Sequence, residues 1–238
     1  MSWSSLIARV AMMVALAAGA AACDDGVDRI SAVERGRELF ESPAFSASEF
    51  NVFACGTCHG TSAAPPTIAV SLAGVTDRSA WWNGEIRTLY GAVDFCWAYF
   101  MRGHPDLDPQ SDDARALFAY LESLGSGQPA VPLSYTVVET IADPGAGDAA
   151  AGATAWQAHC ASCHGAPHTG AGRLGALVSV VPESSRTFAA ELGVDPRLVV
   201  IEKVRHGRFF GVGGNMPFYP SEILSDQALA DILEYLDP

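Results

Sequence analysis

Two short stretches constrain this chain more than anything else in it: CGTCHG at Cys55–Gly60 and CASCHG at Cys160–Gly165, 105 residues apart. Each puts two thiols and an imidazole on one turn. A thioredoxin-type redox pair does not need the adjacent histidine, and a zinc site would need further ligands close by. Two thioethers from Cys55 and Cys58, or from Cys160 and Cys163, can hold the vinyl groups of a haem while His59 or His164 binds its iron. Two covalently attached c-type haems are therefore expected.

The count of six cysteines supports that reading, because four of them lie in these two clusters. The other two are Cys23 and Cys96. Met1–Arg9 carries one positive charge, and Val10–Ala22 is an unbroken run of small and apolar residues too short to span a bilayer comfortably. Residues 1–22 read as an export signal and the mature protein as periplasmic. Cys23 follows Ala20-Ala21-Ala22 and resembles a bacterial lipoprotein cleavage site, which implies a lipid anchor to a membrane. Ordinary cleavage near Ala22 is the other reading.

The flanking sequence repeats. Gly152, Trp156 and Cys160 stand four apart, along one helical face. Gly36 and Phe40 have the same spacing, but fourteen residues, Glu41–Ala54, separate Phe40 from Cys55. Phe40 and Trp156 read as core. Ser111–Leu124 and Ser225–Leu236 both open with Ser-Asp, a capping signal, both end in Tyr-Leu, and both show apolar residues at helical spacing. Gly125–Asp148, rich in Gly, Pro and Ala, reads as a linker with a short extended piece at Leu133–Val138. The expected fold class is all-α, with residues 28–126 and 146–238 as two tandem domains and 127–145 between them. The Gly-to-aromatic spacing resembles the N-terminal helix of the cytochrome c fold, and each domain resembles a small cytochrome c domain whose core is partly supplied by haem.

In the second domain, Gly213–Tyr219 (GGNMPFY) resembles the methionine loop of class I cytochromes c. That resemblance implies Met216 as the ligand opposite His164. In the first domain three candidates share one stretch. Met101 stands 19 residues before Tyr120, as Met216 stands 19 before Tyr235, but no Pro follows it. Cys96 is an unpaired thiol in an oxidising compartment, and a thiolate would drive the potential down. His104 would give a bis-histidine site, although a His before Pro105 in a loop is more often solvated.

Ile86-Arg87-Thr88-Leu89, Val93-Asp94-Phe95-Cys96, Met101, Gly103, Leu107 and the helix Ser111–Leu124 together resemble the first haem domain of the thiosulfate dehydrogenase and SoxA group of dihaem cytochromes. The resemblance implies Cys96 as the axial and catalytic ligand of haem one and the second domain as an electron relay. It also implies a small sulfur anion as substrate. Arg78, Arg87, Arg102 and His104 are the nearby cations; Phe95, Trp97 and Tyr99 put aromatic surface beside Cys96. A formal net charge of −13 disfavours such an anion at long range and argues against nucleic acid, for which the sequence has no basic run. The same charge suits a redox partner with positive charge.

The leading expectation is a dihaem electron carrier acting with a redox partner protein. The alternative is a thiosulfate dehydrogenase-like oxidoreductase. A dihaem peroxidase fits less well, because the motif spacing and length differ. Trp81 and Trp82 read as packing near haem one, Pro65 and Pro66 as shaping the loop after the first cluster, and Asp108, Asp112 and Asp113 as a solvated cap and loop.

Overall fold

The computed structural model describes residues 25–62, 64, 68–125, 135–210 and 214–238. The export segment, Cys23, Pro65, Pro66 and Leu133 lie outside these. Nine α-helices are found among the described residues: α1 (Asp25–Glu41), α2 (Cys55–Cys58), α3 (Leu89–Tyr99), α4 (Asp112–Gly125), α5 (Ala149–His159), α6 (Ala161–His164), α7 (Glu183–Leu192), α8 (Pro196–Phe210) and α9 (Asp226–Leu236). They include no β-strand, only the isolated bridge between Trp81 and Ile86. The fold is all-α, as expected. No described helix is long and apolar enough to cross a membrane.

Capping residues set the helix starts. Ser111 Oγ accepts from Ala114 N at 3.2 Å and Ser225 Oγ from Ala228 N at 3.1 Å, satisfying N–H groups that a helix start leaves unpaired. Thr88 and Asp148 do the same for α3 and α5. The two Ser-Asp helices thus begin where their sequences say.

Two helix crossings carry the fold: α1 packs on α4, and α5 on α9. Their geometry repeats. A Cβ on Gly36 would sit 2.0 Å from Ala116 O and 2.6 Å from Tyr120 Cβ; one on Gly152 would sit 1.9 Å from Asp231 O and 2.8 Å from Tyr235 Cβ. Only glycine lets the backbones approach this closely. One turn on, Phe40 and Trp156 are buried, as expected. Phe40 lies 5.3 Å from the Tyr120 ring. Around α4 and α9 the buried stripes are Ala114, Leu117, Tyr120 and Leu121, and Leu229, Ile232, Leu233 and Leu236. Each buried Leu or Ile contributes about 1.5–3 kcal/mol. The exposed Arg35–Asp113 pair that also joins α1 to α4 adds little beside them. Replacing Gly36 or Gly152 by alanine is expected to cost about 1–3 kcal/mol through overpacking, read as a lowered melting temperature.

The apolar residues form two clusters. One holds Phe40, Val75, Trp81, Leu117 and Tyr120. The other holds Trp156, Ile201, Val204, Leu229 and Leu233, and it takes in Ile68, with Cys58 and Met216 packed against it. The neighbourhood of the first Cys-x-x-Cys-His unit therefore contributes to the second core.

The linker is not loose where it is described. Residues 135–138 form no strand. Thr136 donates through N and Oγ1 to Glu222 at 2.9 and 2.7 Å, and Asp143 pairs with Arg197 at 2.9 Å. These contacts fasten residues 135–145 to α8 and to the turn before α9.

Candidate functional site

In each cluster the first cysteine starts a short turn and the histidine ends it. His59 N donates to Cys55 O at 3.0 Å, and His164 N to Cys160 O at 2.9 Å. The two imidazoles are then oriented alike. His59 Nδ1 lies 2.9 Å from Val70 O and His164 Nδ1 2.9 Å from Ser179 O. A carbonyl can only accept, so Nδ1 carries the proton and Nε2 keeps its lone pair free for a metal. Burial holds both imidazoles below the usual histidine range, which keeps them neutral near pH 7.

The thiols do not have the character of a reactive redox pair. Burial pushes Cys55 up to about 11 and Cys160 up to about 12, and raises Cys58 and Cys163 as well. A reactive pair would be lowered instead. After burial, the largest influences on Cys58 are the neighbouring thiols Cys163, Cys96 and Cys55. The two clusters are thus within electrostatic reach of each other.

A cavity of 540 Å³ adjoins the second cluster. It is lined by Trp156, Cys160, Cys163, His164 and Met216, in the size range of cofactor sites. Phe50, Val52, Phe53 and Arg102 also line it. The fourteen-residue insertion after Phe40 therefore reaches the second site, and Val52 comes close against Gly175 there.

Beside the first cluster two buried donors lack partners. Among the described residues neither Arg78 Nε nor Trp81 Nε1 makes a hydrogen bond. Arg78 is 8% exposed, anchored by Nη2 to Ser71 O and Ala73 O, and within electrostatic reach of His59. Burial lowers its guanidinium from the usual range. A buried, part-unpaired guanidinium within reach of an imidazole suits a prosthetic group bearing carboxylates, as haem does, and Trp81 is a further unpaired donor in the cluster that Cys55 packs against.

The stretch after Thr88 places its three candidates differently. Cys96 is half-buried on α3; burial, then Cys55, pushes its thiol up to about 12. Met101 is buried in the turn after α3, its N–H donating to Cys96 O at 3.2 Å. His104 is exposed. Trp82 packs on Phe95 at 4.6 Å and stacks with Phe100 at 6.2 Å, forming an aromatic wall on this side. Asp112 and Asp113 pair with Arg115 and Arg35, and Asp108 caps Gln110 N, so all three serve the fold.

Three residues of this region were not singled out from sequence. Arg205, 2% exposed, donates from Nη1 to Tyr219 O and Leu224 O at 2.9 and 2.7 Å, and from Nη2 to Asp226 Oδ1 at 2.6 Å. Tyr219 Oη donates to His159 O at 2.7 Å. Asn215 Nδ2 donates to Phe100 O at 3.1 Å. No local signal set Arg205 apart, because Glu202, Lys203, His206 and Arg208 share its turns of α8.

Residues 147–236 match the family model described as cytochrome C oxidase, cbb3-type, subunit III. This segment is a cytochrome c domain; such domains hold covalently attached c-type haem and transfer electrons. One similar solved structure is the "as isolated" thiosulfate dehydrogenase (TsdBA) from Marichromatium purpuratum. Identity is 18% over 88% of this chain and 46% of that one, with a TM-score of 0.43. The chain spans less than half the length of that protein. No curated protein is significantly similar to the sequence.

Proposed function

We propose that the chain is a dihaem c-type cytochrome that takes single electrons from a donor protein and passes them to an acceptor protein. The observation that carries this reading is the duplicated imidazole geometry. His59 and His164 each present a free Nε2 beside a Cys-x-x-Cys pair, and the two pairs lie within electrostatic reach of each other. Haem attached at both clusters would supply reversible one-electron iron chemistry there.

The chain's own residues then set the two centres apart. Cys55 and Cys58 anchor the first and Cys160 and Cys163 the second, with His59 and His164 as proximal ligands. Met216, in the second cavity, supplies a thioether, which raises the potential. Cys96, with Met101 as the alternative, would be the second ligand of a group held by His59. A thiolate there lowers the potential, so electrons favour the path from the first half to the second. Arg78 and Trp81 would be the donors available to carboxylates of a group held at the first site. The export signal and a lipidated Cys23 belong to the same reading and place the protein in the periplasm, tethered to a membrane.

Intact mass of the haem-loaded protein tests the proposal. The expected mass exceeds that of the chain by two haems. Replacing Cys55 and Cys58 together by alanine removes one, and replacing Cys160 and Cys163 removes the other. A wild-type chain carrying a single haem would overturn the reading.

One observation favours a second reading. The Cys96 thiol is within electrostatic reach of both Cys55 and Cys58, as a ligand of the first centre must be. Oxidation of a small sulfur anion then becomes available. Two thiosulfates join through a new sulfur–sulfur bond to give tetrathionate, releasing two electrons, one to each centre and onward to a one-electron acceptor protein. Thiosulfate added to the oxidised loaded protein would reduce it and yield tetrathionate, and Cys96→Ala would abolish both effects. Absence of reduction in the wild type would eliminate this reading.

A further inference from the structure

Asn215 stands immediately before Met216, yet its side chain faces the other half of the chain. Its Nδ2 donates to Phe100 O at 3.1 Å, across 115 residues of sequence. Phe100 is where α3 ends. Its N–H and that of Met101 both donate to Cys96 O, at 3.0 and 3.2 Å. Arg102 follows with φ 57° and lines the same cavity as Asn215 and Met216. On the far side of Met216 the loop is held by Tyr219 N donating to Val204 O at 2.8 Å and by Arg205 on Tyr219 O. On the near side, Gly214 has φ 71°, a conformation glycine adopts freely, and the amide to Phe100 ties the loop down.

We propose that Asn215 is a positioning residue that couples the two redox centres, holding the Met216 loop to the turn that carries Cys96. The proposal rests on the two-haem reading above. Its physical basis is a short chain of bonded groups, from Cys96 O through the Phe100 peptide to the Asn215 amide and so to Met216. A change in the bonding of Cys96 alters the end of α3, and the amide passes that change to the methionine. Coupling of this kind is reciprocal: what the second centre gains from the first, the first gains from the second. A part-buried hydrogen bond is worth up to about tenfold in an equilibrium.

The test uses the full-length, haem-loaded protein. Redox titrations are made on wild type, Asn215→Ala, Asn215→Leu, Cys96→Ala and the Asn215→Ala/Cys96→Ala pair. Asn215→Leu nearly keeps the size of the side chain and removes the donor without adding a charge, so it addresses the proposal even if the alanine variant folds poorly. In both Asn215 variants the equilibrium for reducing the second centre is expected to shift by about tenfold, about 59 mV for one electron. The long-wavelength absorption of methionine bound to ferric haem should weaken in parallel. Cys96→Ala should shift the second centre in the wild-type background and not in Asn215→Ala, the signature of a coupled pair. A merely structural asparagine would lower the melting temperature without moving potential or absorption. Unchanged potential and absorption in both Asn215 variants would overturn the coupling, as would an equal effect of Cys96→Ala in the two backgrounds. A wild-type mass with one haem would instead overturn the two-haem reading, and the coupling with it.

Discussion

With two haems bound as proposed, Met216→Ala is expected to lower the potential of the second by roughly 0.1–0.3 V, within the ~0.8 V span that axial ligands command. Met216 lies in the cavity with His164 and packs against the apolar cluster around Trp156 and Val204. A thioether opposite an imidazole favours the reduced iron, and alanine leaves water or a stronger donor in its place. The first centre, held by residues of α2 and α3, should keep its potential to within the smaller shift carried by Asn215. Spectroelectrochemical titration reads both at once. A second-centre potential unmoved by Met216→Ala would show that another group occupies the sixth position.

Arg205→Met costs about 2–4 kcal/mol of stability. The arginine is buried, and it satisfies two carbonyls, of Tyr219 and Leu224, at the base of the methionine loop. Leaving a buried acceptor unpaired costs about 1–3 kcal/mol, and methionine fills the space without donating. Asp226, the ionic partner, is 73% exposed and returns to water on losing it, so the larger penalty of a stranded buried charge does not arise. For a chain of this size the loss corresponds to a fall of roughly 5–15 °C in melting temperature. Thermal unfolding of the haem-loaded protein checks it. Because Arg205 also fixes Tyr219, the variant should weaken the methionine absorption, whereas an exposed substitution such as Arg115→Gln should change neither.

What could be read from the sequence was local. The spacing of Cys160, Cys163 and His164 is a property of one turn, and Ser225 caps the helix it begins. Gly152 and Trp156 announce a helix crossing because close approach and a large buried ring leave few other uses for that pair. The rest depends on contacts between segments far apart in the chain. Asn215 looked like a loop residue, and its partner, the Phe100 carbonyl, carries no sequence signature. The fourteen residues Glu41–Ala54 carried no pattern of their own in the sequence, yet Phe50, Val52 and Phe53 wall the second cavity. Arg78 stood out only as a cation for a sulfur anion; its burial and unpaired Nε come from the contacts of Ser71 and Ala73 around it and suit any bound anionic group. Among the three candidates near the first centre, exposure separates His104 from the others, and the Cys96 thiol is within electrostatic reach of Cys55 and Cys58.

The most direct test of the central claim is an anaerobic reductive titration of the haem-loaded wild type, counting electrons against absorbance. Two redox centres with different sixth ligands should take up two electrons per chain in two separated one-electron steps, with the higher step displaced far more than the lower in Met216→Ala. Uptake of one electron per chain in a single step would contradict the account.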